Sequence, residues 1–98
     1  MGIVPEKDVK RDIRSLFNKY DVSFFMPIGG PYARPGVSDF IGCCQGTMLA
    51  VEAKATGKKP SAVQKDYLEE VIKAGGIALV VDDTNLFVLE RILIALCK

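Results

Sequence analysis

Apolar residues recur along the first twenty positions at helical spacing. Val9, Ile13, Leu16, Phe17 and Tyr20 fall at i, i+4, i+7, i+8 and i+11, which predicts an amphipathic helix over Pro5–Tyr20. Pro5 suits its first turn, where a missing N–H costs nothing. A β-rich run, Val22–Ile28, leads into the Gly/Pro loop Gly29-Gly30-Pro31-Tyr32-Ala33-Arg34-Pro35-Gly36. Two strands are then expected, Ser38–Cys44 and Thr47–Lys54, folded about Gln45-Gly46 as a tight hairpin. Ser61–Ala74 reads as a second helix stopped by Gly75-Gly76, and Ile77–Val81 as a short strand buried on both faces. Asp82-Asp83-Thr84 offers a cap for a last helix reaching Cys97. The predicted order is α-β-β-β-α-β-α, a mixed α/β sheet flanked by helices.

The pattern also places polar groups where apolar ones are expected. With a two-residue turn at Gln45-Gly46, Cys44 pairs with Thr47, and Asp39 lies opposite Glu52 on one face of the hairpin. Like charges at such a cross-strand pair, with β-carbons about 5 Å apart, are destabilising. Lys54 shares that face, two residues beyond Glu52. On the first helix Glu6 falls within the apolar arc, whereas Lys7, Lys10, Arg11 and Arg14 fall outside it as solvated charges. On the second helix Gln64 lies among Tyr67, Leu68 and Val71. There it either closes a capping box with Ser61 or points into a site. The helix dipole alone explains an acid in the first turn of a helix, but not its inward face. Carboxylates gathered in this way repel unless one is protonated or a cation sits between them. Oxygen donors without histidine or cysteine select Mg²⁺ or Mn²⁺. A lysine beside such an ion suits metal-assisted hydrolysis of a phosphodiester.

Composition narrows the chemistry further. The chain has 98 residues, 49% of them hydrophobic and 26% charged, which is one ordinary globular domain spanning residues 1–98. It has no histidine, so histidine-based acid–base catalysis and histidine metal sites are excluded. Cys43, Cys44 and Cys97 match no zinc spacing and make a poor disulfide framework. They are expected to be reduced thiols in a cytoplasmic protein. No signal-peptide pattern opens the chain, and the greasy stretch Leu86–Cys97 carries Glu90 and Arg91 and is too short to span a membrane. A soluble protein without a membrane partner is expected.

Gly36-Val37-Ser38-Asp39, then Val51-Glu52-Ala53-Lys54, then Gln64, with Glu6 on the first helix, resembles the PD-(D/E)XK nuclease superfamily. Within it the chain is most similar to the small stand-alone VRR-Nuc proteins. The resemblance covers residues 5–81. It implies a restriction-endonuclease-like fold and a structure-specific, metal-dependent DNA endonuclease acting on branched DNA such as Holliday junctions. By the same carry-over Asp39 and Glu52 bind Mg²⁺ or Mn²⁺, the Ala53 carbonyl is an additional ligand, and Glu6 is a further one, directly or through water. Lys54 positions or activates the attacking water, and Gln64 orients Lys54, the water or a phosphate. Ser38 departs from the proline often found before the aspartate, but removes no ligand. An archaeal-type Holliday-junction resolvase shares the acidic pattern and is the alternative enzyme. A catalytically silent DNA-binding or dimerisation module on the same fold is the non-enzymatic one.

Net charge is only +1, with the basic surplus in residues 1–65. Lys10, Arg11, Arg14, Arg34, Lys58 and Lys59 are the candidate phosphate contacts. Thr56-Gly57-Lys58-Lys59 is not a P-loop, because Glu52 stands where its first glycine belongs and Lys59 where it needs Ser or Thr. Tyr32 either packs on its own turn or stacks on an exposed base, with turn packing the preferred reading. The last helix is apolar almost all round, more than so small a chain can bury, and predicts a symmetric homodimer.

Overall fold

Pro5 stands just ahead of the first helix, in extended conformation at its N-cap, and α1 runs Glu6–Lys19. The computed structural model describes residues 2–97, and the order of elements is the expected one. After α1 come β1 (Ser23–Phe25), β2 (Phe40–Cys44) and β3 (Thr47–Ala53), then α2 (Ala62–Lys73), β4 (Ile77–Val81) and α3 (Leu86–Leu96). The four strands form one mixed sheet in the order β1-β2-β3-β4. The first two pairings are antiparallel, while β3 and β4 run parallel, joined by α2 as the crossover.

The hairpin has the register its sequence predicts, with Cys44 opposite Thr47 and Phe40 opposite Val51. Gln45 and Gly46 both take positive φ, 52° and 79°, the geometry a two-residue hairpin turn requires. Helices cover both faces of the sheet. Val9, Ile13 and Phe17 of α1 and Leu89 and Leu93 of α3 pack over Phe40, Leu49, Val51, Ala53 and Val81. On the opposite face Leu68 and Val71 of α2 close over Ala50, with Ile41, Ala78 and Val80 at the margin. Phe17 and Phe40 meet edge-on with ring centroids 5.7 Å apart, at the centre of the larger core.

Three details differ from the sequence-based expectation. The first strand is three residues long rather than seven, because Pro27 has no N–H with which to continue a ladder. Asp82, Asp83 and Thr84 form a turn ahead of α3 rather than its cap. Asp82 accepts from the Thr84 amide and hydroxyl, and the N-cap position falls to Asn85. The Asn85 amide group instead bridges the Asp82 N–H and the Val80 carbonyl, each at 2.8 Å.

The third concerns the cysteines. Cys44, at the end of β2, and Cys97, at the C-cap of α3, are joined as a disulfide with Cα atoms 6.0 Å apart. Only Cys43 is free and exposed. The two bonded residues are 53 positions apart in sequence, and the fold brings them together. The expectation of three reduced thiols therefore does not hold. Among the described residues no helix is long and apolar enough to cross a membrane.

Candidate active site

Alternation along β3 turns Val51 and Ala53 toward α1 and α3, and Glu52 toward the α2 side of the sheet. Glu52 is only 2% exposed. Its Oε2 accepts a hydrogen bond from the Gln64 side-chain amide at 2.9 Å and lies 3.4 Å from the Lys54 ammonium. Its Oε1 is buried with no hydrogen-bond partner. Burial, reinforced by the charge of Asp39 and opposed by Lys54, pushes the Glu52 carboxyl up to about 7.

Asp39 sits one residue before β2, in the register that places it across from Glu52. Its Oδ2 accepts from the Ala53 backbone N–H at 2.8 Å, so the side chain completes the ladder where β2 has ended. Two neighbours hold this approach in place. The buried Ser38 hydroxyl donates to the Phe40 carbonyl at 3.0 Å. Gly36, at φ +78°, passes so close to α2 that a Cβ there would overlap Val63 Cγ1 and lie 2.6 Å from the Val63 carbonyl oxygen. Glycine is needed there on both counts, left-handed backbone and contact.

Gln64 does both things that sequence left open. Its Oε1 accepts from the Ser61 N–H at 2.9 Å while its own N–H donates to Ser61 Oγ, a complete capping box. Its Nε2 donates to Glu52. The contact the structure gives the Gln64 amide nitrogen is with Glu52, and its second N–H is left for a water or a phosphate.

Glu6 and Lys10 correct the reading of the first helix. Glu6 is half-exposed and pairs with Lys10 at 3.1 Å, one turn along α1. Lys10 also reaches Asp39 Oδ1 at 3.7 Å, so the lysine lies between the two acids. Partial burial works against its charge, but Glu6 and Asp39 outweigh that and hold the ammonium above the usual lysine range. Lys10 is therefore a member of the site rather than a solvated charge. The hint available in sequence was the i, i+4 spacing from Glu6.

The other basic candidates separate into two groups. Arg34 is engaged by Glu70 through both terminal nitrogens, at 2.6 and 3.0 Å, and stacks over Tyr67. Arg11 pairs with Asp8 and Asp12. Arg14 is exposed with one nitrogen 3.8 Å from Met26 Sδ. Among the described residues Lys58 and Lys59 make no ion pair and stand exposed between β3 and α2. Tyr32 is 100% exposed, so it does not pack on its own turn.

The donor set fits a hard divalent cation in part. Two carboxyl oxygens, Glu52 Oε1 and Asp39 Oδ1, are free of backbone or amide donors, and the first is an orphaned buried acceptor. No group of three or more His, Cys, Asp or Glu side chains converges among the described residues. An ion there would draw its remaining ligands from backbone carbonyl, water or substrate, which suits Mg²⁺ and its retained waters. No protein-family model and no curated protein matches the chain.

Proposed function

We propose that the chain is a divalent-metal-dependent DNA endonuclease of the VRR-Nuc type, built on the restriction-endonuclease-like fold and acting on branched DNA such as Holliday junctions. One observation carries this reading. A fully buried glutamate keeps one oxygen without a donor, beside a second carboxylate and a lysine. An orphaned buried acceptor of this kind costs stability unless a ligand satisfies it. That cost also weighs against a catalytically silent module, which gains nothing from it. Gln64 and the short length favour the VRR-Nuc type over an archaeal-type resolvase, and Gln64 is here seated on Glu52.

Asp39 and Glu52 would hold Mg²⁺ or Mn²⁺, with the Ala53 carbonyl as a further donor. A bound cation would polarise a phosphodiester oxygen and lower the pKa of an attacking water. The chain's own residues supply the rest. Lys54, anchored by Glu52, orients the water and offsets developing negative charge. Gln64 fixes the Glu52 carboxylate, and the Ala53 amide fixes Asp39. Lys58 and Lys59, with Arg14, are the cations best placed to meet phosphates, since Arg11 and Arg34 are engaged by acids. A second copy docked through α3 would double this modest basic surface.

The test is incubation with four-way junction, flap and linear duplex in Mg²⁺, Mn²⁺ or EDTA, resolved on a gel. Cleavage of a branched substrate is expected with either metal and none in EDTA. Asp39→Asn and Lys54→Ala should each lose at least about a hundredfold in rate while keeping their circular dichroism. Absence of cleavage on all three substrates with both metals would overturn the proposal.

A further inference from the structure

The nuclease reading leaves the ammonium between Glu6 and Asp39 unexplained. Oδ1 is the freer oxygen of Asp39, because Oδ2 already accepts from the Ala53 amide, and Oδ1 is the one that Lys10 approaches. The approach is loose. Lys10 lies 3.7 Å from Asp39 but 3.1 Å from Glu6, its i, i+4 neighbour on α1. The ammonium is thus seated on Glu6 and leans toward Asp39. A doubly charged ion shared by Asp39 and Glu52 would repel a cation so close, and the flexible lysine stem lets it retreat without moving the helix. Glu6, already paired, gives it somewhere to go. Glu6 is already engaged by the lysine through Oε2.

We infer that Lys10 is the resident counter-ion of the metal site, neutralising Asp39 until a divalent cation displaces it onto Glu6. Glu6 then serves as the seat of the displaced lysine and not as a metal ligand. This rests on the nuclease reading and deepens it. Both residues are positioning groups: they set how strongly the site takes up metal.

Calorimetric titration of the full chain with MnCl₂, without DNA, separates the possibilities. Lys10→Met should bind Mn²⁺ roughly tenfold more tightly than the wild type, since it removes a competing charge. Glu6→Gln should bind several-fold more weakly, because the lysine then has only Asp39. The double variant should match Lys10→Met, because Glu6 has no role once the lysine is gone. Lys10→Gln repeats the test should the Met variant fold poorly. If Glu6→Gln weakens binding by the same factor in both backgrounds, Glu6 is a ligand and the inference fails alone. Unchanged or weaker binding by both Lys10 variants would also overturn it. A wild-type chain that takes up no Mn²⁺ would overturn the nuclease reading and this inference together.

Discussion

Glu52 couples stability to pH in a way a surface acid would not. Folding raises its carboxyl from an ordinary 4.5 to about 7, so the folded chain holds that proton more tightly than the unfolded one. The resulting stabilisation is complete below 4.5 and disappears as pH rises through 7. The difference amounts to about 3 kcal/mol. In EDTA the melting temperature should therefore fall between pH 5 and 8, and in Glu52→Gln that fall should largely vanish. Mn²⁺ should reverse the trend, stabilising more at pH 8 than at pH 5.5, because a metal needs the ionised carboxylate. Thermal melts across pH, with and without metal, read all three. A wild-type melting temperature that rises over this window would mean that Glu52 is not the group being titrated.

At the scale of elements, the approach to Asp39 is fixed by one close contact. Gly36→Ala forces a Cβ into Val63 at the start of α2 and strains a left-handed residue, at a cost of about 2 kcal/mol. Because the same loop delivers Asp39, cleavage should fall with stability. Gly30→Ala, with nothing within 4 Å of its added carbon, should change stability by less than about 0.5 kcal/mol. Denaturant melts of the two variants make the comparison.

The same elements explain what could be read in advance. Helical faces, the hairpin register and the Asp39–Glu52 juxtaposition follow from local periodicity, and each was legible. Lys10 was not, because periodicity gives a residue's direction around a helix but not how far a long side chain bends back. Its angle is that of a solvated charge, while its ammonium reaches Asp39. Gln64 was only half legible, since a capping box and a contact with Glu52 use opposite ends of one amide. The Cys44–Cys97 bond depends on where the end of β2 and the end of α3 dock, which no local pattern encodes.

For the molecule as a whole, the outer side of α3 is an exposed apolar surface. Leu89 and Leu93 are fully buried, but Phe87 and Ile94 on the same helix are 59% and 55% exposed. A second copy covering that surface is the expected arrangement, so light scattering at micromolar concentration should report a dimer. Phe87→Glu with Ile94→Lys should give a monomer that keeps the wild-type fold, because neither side chain supports the core. A wild-type monomer would leave α3 without this role.

The hydrogen bond from the Ala53 amide to Asp39 has a consequence for timing. A carboxylate pinned through Oδ2 to a strand amide is as stiff as that strand, so under the nuclease reading its other oxygen, Oδ1, would be in place before any ion arrives. Uptake would then ask only for the swing of one partly buried side chain, Lys10, on a stationary helix. Product should accumulate from the moment of mixing, with no lag for the protein to rearrange.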